Sequence, residues 1–565
     1  MRAPILLLTC SLVSLPAAAD LYKVGAVSDS ACTHDSLQGA LLSAFFNAGP
    51  DEIRLARNIG YVDERVQLIN WSTAEALTIA GGYDNCADTT ASSRTAVDGT
   101  ADHPVIEMTG TNGGLLTLRR IAVEGSGRRG ILVTGNNQVT LSASFVRSNA
   151  DGGVRVSGDA KLVVDVDSRI WNNTTGGGGG GIFCESTARV ELSGAVGGIG
   201  TPNQAAVVGG GIYAAGDCET VLFDGSAVAY NQSRDGAGIA AAGDSLVLAL
   251  GAAQGVVIEQ NVATDRGGGV FGSESSEVYL FNTRVRNNHA AHAGGGLFAT
   301  GDFAQLSMLR RSGACNPSGP ATNGCSTLEG NALSDGREGA AAMVDAGASL
   351  YLYQTQIEGN SAALDSNSAL EAQAIGSYLS LESVGFLGNT VGILVRLDDA
   401  AALVEFVSAT GNGSAGNPNA IPLYLLGNSG ATLRSSIFWP NGPISVAAGS
   451  SISEARCLIV STTAGLPPWA TVVSTTNPLF VAPASDLHIR PDSPAVDFCD
   501  GAPSPYPVMR DVDYEQRAAD QPANPDGSPG VSGGRVDIGL DEVDGWLMVA
   551  GFETGDLYEW EDWSH

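Results

Sequence analysis

Two neighbouring stretches decide the fold: "IEQNVATDRGGGVF" at Ile258–Phe271 and "VRNNHAAHAGGGLF" at Val285–Phe298. The second, with His289 and His292 beside an asparagine pair and a glycine run, has the look of a ligand cluster. Set under the first, it becomes a repeat unit. Both read apolar-x-x-Asn, then five residues, then Gly-Gly-Gly and two apolar residues. The pattern returns at Ile170–Asn173 with glycines up to Gly181, at Asn203 with Gly209–Gly211, and one residue shorter at Val228. Val146, Leu328, Ile357 and Phe386 each lead a further asparagine. The asparagines fall at Asn149, Asn173, Asn203, Asn231, Asn261, Asn288, Asn331, Asn360 and Asn389, mostly 24 to 30 residues apart. A period of that length means a solenoid.

The segments between the asparagines settle which kind. "KLVVDVDSRI", "SLVLAL", "EVYLFNTRV" and "SLYLYQTQI" alternate apolar and polar residues and are rich in Val, Leu, Ile and Tyr. That is strand patterning, with no helical period between strands. One turn of short strands per repeat gives an all-β, single-stranded parallel β-helix. Coils stacked at the ordinary strand spacing place each inward residue on its equivalents above and below, which favours Val, Ile and Leu columns. Asparagine tolerates the left-handed backbone of a sharp corner, and its side chains can bond along the stack. Glycine serves the next corner, and no Gly-Lys-Ser/Thr follows it to make a phosphate loop.

The bulk numbers agree with an elongated exported chain. Its 565 residues exceed one ordinary core. There are 60 Asp+Glu against 29 Lys+Arg, and the only lysines are Lys23 and Lys161. A net charge of −31 repels nucleic acid and anionic lipid headgroups and attracts divalent cations, of which calcium is the one considered. Arg2, the apolar run Ile5–Leu15 and Ala17–Ala19 predict a signal peptide over residues 1–19. No later run is long and apolar enough for a membrane span. Setting aside Cys10 leaves eight cysteines: Cys32, Cys86, Cys184, Cys218, Cys315, Cys325, Cys457 and Cys499. An even count in an exported chain reads as disulfides; the order suggests sequential pairs, though eight cysteines allow many connectivities.

The predicted organisation is a β-helix over 20–476 with an N-terminal cap, a different segment over 477–545, and a tail over 546–565. In the cap, Asp35 with Gln38 suggests a capping box, Leu37, Leu41 and Phe45 share a helical face, and Gly49-Pro50 ends the helix. Between Asn288 and Asn331 the spacing stretches to 43, with "CNPSGPATNGC" at Cys315–Cys325 as an inserted loop, read as a tolerated insertion rather than a recognition element.

Three resemblances follow from these residues. The Gly-Gly-apolar and apolar-x-x-Asn elements over Val146–Asn389 resemble the repeats of polymorphic outer membrane proteins. Those are similar to right-handed, pectin-lyase-like β-helices, which implies the handedness. Asn477–Phe480, Asp486, Ser493–Ala495, Asp497, Asp511, Asp513, Arg517, Asp537–Gly539 and Glu542 resemble the choice-of-anchor Q segment of bacterial surface proteins, with Tyr514 and Leu540 departing from it. "GFETGDLYEWEDWSH" resembles a short tail of exported proteobacterial proteins. Together they imply an exported protein at the surface of a Gram-negative bacterium and no particular reaction.

Two clusters are candidates for chemistry. Aligning the repeats puts His292 over Asp265 and Asp235, a column able to hold a cation or share a proton. Arg234 and Arg266 adjoin it, and a salt-bridged corner is the plainer reading. In "KLVVDVDSRI", placing Leu162, Val164 and Val166 inward turns Lys161, Asp165, Asp167 and Arg169 outward. β-Helix pectate lyases resemble this in using outward aspartates to hold calcium and a basic residue to take a proton. Adjacent coils show no matching acids, and "RLDD" at Arg396–Asp399 stands as a lone fragment. Three classes of function remain: a binding or adhesion scaffold toward glycans or other surface partners, a lyase or hydrolase of acidic polysaccharide, and a passive envelope protein. The first leads. An enzyme would need Asp, Arg and Lys or His converging on one outer sheet over three consecutive coils; a passive protein would show bland outer faces. The sequence carries no signal for an oligomeric state.

Overall fold

The computed structural model describes residues 20–72, 76–100, 102–310, 326–335, 338–364, 366–499, 511 and 536–543. One coil shows how the chain runs. Val270–Ser273, Glu277–Phe281, Thr283–Arg286 and His289–Ala290 follow one another as four short strands. Each pairs in parallel with its counterpart in the coils before and after. Four ladders result. The first is a 14-stranded sheet and the fourth a seven-stranded one. The second and third merge because several coils cross both in one bent strand, such as Ser349–Glu358, where Gln354 takes a φ of 48° at the bend. The chain is a parallel β-helix.

The core is a set of columns rather than a jigsaw. Along the third ladder Val146, Ile170, Val196, Val228, Ile258, Val285, Leu328 and Ile357 sit in register, each fully buried. Outward neighbours alternate with them, as a half-buried sheet requires.

An asparagine ladder runs through the middle of the stack. Asn261 shows its logic. Its backbone N–H and its Nδ2 both donate to Asn288 Oδ1, at 3.1 and 3.0 Å. The second Nδ2 hydrogen reaches the Val228 carbonyl. Its Oδ1 accepts from the backbone and side chain of Asn231. Two donors and two lone pairs are thus satisfied at zero exposure. The chain of amides extends from Asn149 to Asn412 through Asn173, Asn203, Asn231, Asn288, Asn331, Asn360 and Asn389. The expected reason for asparagine needs correcting. The left-handed residue is the one before it: Ser148, Asn172, Tyr230, Gln260 and Asn287 have φ between 52° and 61°, and Gly330, Gly359, Gly388 and Gly411 follow suit. Asparagine is there for its amide.

The glycine runs divide their labour. The first glycine, as at Gly267, has positive φ (63°). The next must let adjacent coils touch: a Cβ on Gly268 would lie 2.3 Å from the Gly295 carbonyl oxygen and 2.5 Å from that of His289.

The N-terminal helix, Leu37–Phe46, closes the first coil with Leu37, Ala40, Leu41 and Ala44 on the core. Its cap differs from the expected box. Ser36, not Asp35, is the N-cap, its hydroxyl accepting from the Gly39 N–H, while Gln38 donates to the Arg65 carbonyl. Phe45 turns out to solvent instead of joining the buried face. At the other end the chain leaves the stack after Thr471–Ser474 and folds back along the outside of the third ladder. Phe480, Leu487, Ile489, Val496, Phe498, Ile538 and Leu540 pack there on Leu387, Ile437 and Ile459. Gly385 makes room, since a Cβ on it would meet Leu487 at 2.7 Å.

Among the described residues three sequential disulfides form: Cys32–Cys86 in the cap, Cys184–Cys218 inside the core, and Cys457–Cys499 pinning the folded-back segment. Cys315 and Cys325, the expected signal peptide over 1–19, Asp513 and Arg517, and the tail over 546–565 lie outside the described residues.

Candidate functional site

The two predicted clusters come apart. The strand Lys161–Val164 ends before the aspartates. Val166, expected inward, is 73% exposed. Asp165 closes a turn: its carboxylate accepts from the Ala143 N–H one coil below and, at 2.7 Å, from the Ser168 hydroxyl. Asp167 is exposed in that turn, and the Arg169 Nε donates to the Gly197 carbonyl. Lys161 instead meets Glu191 at 2.9 Å. Arg189 bridges Glu191 and Glu219, so this outer strip is a chain of mutually neutralised ion pairs.

The column at Asp235, Asp265 and His292 is half formed. His292 Nδ1 lies 3.0 Å from Asp265 Oδ1. Asp235 does not join them. A bulge after Ser233, where that repeat is one residue short, sets Asp235 opposite Arg266 instead of Asp265. There its buried carboxylate is held by Arg234 at 3.0 Å and Arg266 at 3.1 Å. His289 pairs in register with Val262. Asp29 gathers with Cys32 and Cys86, but those sulfurs are joined and offer no thiolate.

What the stack brings together instead is an apolar strip on the outer face of the second ladder. Strand alternation puts Phe223 on one coil, Leu246, Leu248 and Leu250 on the next, Tyr279 and Phe281 on the third. Leu309 and then Tyr351, with Tyr378 after it, continue the strip. All are half-exposed. Tyr279 and Phe281 lie nearly parallel, 6.5 Å between centroids, and Tyr351 meets Tyr378 at 6.0 Å. Polar groups thread the strip. Tyr279 donates its hydroxyl hydrogen to Glu277 at 3.0 Å, and Gln305 donates to the Ser307 hydroxyl. Burial, and then the Glu277 carboxylate, raise the proton affinity of Tyr279.

At the edge of the strip, the turns of three consecutive coils line a shallow depression. Asp244, Ser245 and Leu246 come from the first, Ser275 and Glu277 from the second, and Phe303, 76% exposed, from the third. A ring standing in water beside carboxylates and hydroxyls suits a ligand with one apolar face and several hydroxyls. Sequence reasoning missed this face. Its signal was present in "SLVLAL" and "EVYLF", where outward positions that should be polar are Leu, Tyr and Phe.

Among the described residues no helix is long and apolar enough to cross a membrane. No curated protein matches the chain. Residues 104–363 match the family described as right handed beta helix region. With four parallel ladders stacked around columns of buried aliphatic residues, that match makes the chain a right-handed parallel β-helix.

Proposed function

We propose that this protein is a non-catalytic binding scaffold at the cell surface, and that its ligand is a glycan laid along the outer face of the second ladder. The strip from Phe223 to Tyr378, with the Phe303 depression at its edge, carries the reading. Sugar rings present C–H faces that pack on aromatic side chains, while Glu277, Asp244 and Ser275 supply hydrogen-bonding partners for hydroxyls. Large half-exposed apolar strips rimmed by polar groups mark interaction sites. The leader-like residues 1–19 and the disulfides support placement outside the cell.

The test is a screen of neutral and acidic polysaccharides against the purified protein, with and without calcium, read by affinity electrophoresis and calorimetry. Tyr279→Ala and Phe303→Ala are expected to weaken binding at least about tenfold, the loss of one good contact. Release of unsaturated sugars, seen as new ultraviolet absorbance, would establish a lyase and overturn the proposal. Binding untouched by either substitution would move the ligand off this face.

A further inference from the structure

The acids of the middle coils are sorted by face. On the third and fourth ladders they meet bases: Arg286 holds Glu259 at 2.7 Å, Arg234 and Arg266 hold Asp235, and His292 and Arg266 adjoin Asp265. The turns that lead into the second ladder differ. On four successive coils they carry Asp217, Asp244, Glu274 and Asp302, and Glu277 opens the strand of the third coil. All five are exposed, and among the described residues none has an ion-pair partner, Arg234, Arg266 and Arg286 being held on the far ladders. At the strand spacing this row is about 15 Å long. It borders the half-exposed strip of Leu246, Leu248, Tyr279 and Phe281, and Phe303 follows Asp302 directly. From Leu246 to Glu382 the outward positions of the second ladder hold two acids, Glu277 and Glu382, and no lysine or arginine.

We infer that the glycan of this face is a cationic one, a polymer of amino sugars with free amines, an inference that rests on the binding reading above. The chemistry of the face selects it. Carboxylates without a base draw an ammonium group in, and the face of an aromatic ring attracts it further. Phe303 offers both, since it shares the depression with Asp244 and Glu277. A neutral glycan gains nothing from the five carboxylates beyond hydrogen bonds. An acidic one is repelled by them, and no base on the strip offsets the repulsion. A basic peptide answers the charges but brings no stiff ring to lay C–H faces on Tyr279 and Phe281. Coils about 5 Å apart present a carboxylate at every step, so an extended polymer running along the axis meets them repeatedly. One amine on one exposed carboxylate is worth at most about fivefold in affinity, so the preference comes from several acting together.

The experiment is titration calorimetry of the full-length protein with two hexamers of one β-1,4-linked backbone, glucosamine and N-acetylglucosamine. It is run at about pH 5.5, above the ordinary carboxylate range and below that of amines. In about 0.05 M salt the glucosamine hexamer is expected to bind at least about tenfold more tightly than the acetylated one, and about 0.5 M salt should remove most of that ratio. Asp244→Asn with Asp302→Asn should narrow the ratio at least about threefold, with circular dichroism and melting unchanged. Equal affinity for the two hexamers would overturn the inference and leave a glycan site standing. So would a ratio untouched by the paired substitution, or tighter binding of hexagalacturonate. Hexalysine binding as tightly as the amino sugar would overturn it too, by showing that charge alone is read. If no oligosaccharide binds, the glycan reading itself fails and the inference with it.

Discussion

At the scale of single residues, the ladder asparagines show how much one amide can hold. Replacing Asn261 by Ala removes the acceptor of two buried Asn231 hydrogens, one backbone and one side-chain, and takes one donor each from the Asn288 side-chain oxygen and the Val228 carbonyl. Each buried orphan costs about 1–3 kcal/mol. Asn261→Ala should therefore lower stability by roughly 3–5 kcal/mol in chemical denaturation, whereas the exposed Gln260 next to it should tolerate Gly. Periodicity announced these asparagines but not their reason, because backbone sign at one corner residue leaves no trace in composition. It also passed over Asn412, whose leading residue is the alanine of "ATGN". Glu371 gives the second residue-scale prediction. Burial pushes its carboxyl up to about 8, against the pull of Arg396 3.6 Å away and the Ser368 hydroxyl. "RLDD", a lone fragment in sequence, thus has its arginine between Glu371 and Asp398. Below the ordinary value of 4.5 Glu371 is protonated folded or unfolded, and contributes nothing. As pH rises from there, the unfolded chain ionises first, so the folded state loses stability up to about pH 8, above which the loss is complete. Glu371→Gln keeps the neutral form. Between pH 5 and 8 the wild type should lose at least about 1.4 kcal/mol relative to this variant in urea titrations.

At the scale of elements, two joints are exposed to test. Gly268→Ala forces a methyl into the carbonyls of the next coil, where nothing flexible can yield, and should destabilise by more than 2 kcal/mol or so. Position 340 already carries alanine at the matching place of a later coil, so Ala340→Gly is expected to change little beyond the usual glycine cost of roughly 0.5–1 kcal/mol. The folded-back segment is the other joint. It packs through apolar side chains, adds hydrogen bonds from the Gly539 and Leu540 N–H groups to Ser435 and Ser408, and is pinned by Cys457–Cys499, which closes 42 residues. Cys457→Ser with Cys499→Ser should cost about 2–4 kcal/mol and raise hydrogen exchange over residues 480–498 while the coils stay protected. Strands and glycine turns were legible because each repeats. The helix was legible as an element, but its cap shifted by one residue, since Ser36 and Gly39 lack the acidic partner that marks a box. The docking of the last segment was not legible, because its contacts occur once and follow no period.

At the scale of the whole molecule, the fold could be read from the repeat alone, and the candidate binding face could not. A strip of Leu, Tyr and Phe facing out looks in sequence like one more buried strand; only the register of six coils shows it to be a surface.

The amide ladder has a direction. From Asn149 to Asn389 every side chain gives one amide hydrogen to the asparagine oxygen of the next coil, so the amide-to-amide links all point toward the C-terminus. The stack is thus an arrow, and a pull along its axis loads these links in series, each as strong as the next. Such a rod should stretch without a weak middle and part first at an end, where the arrow runs out of neighbours.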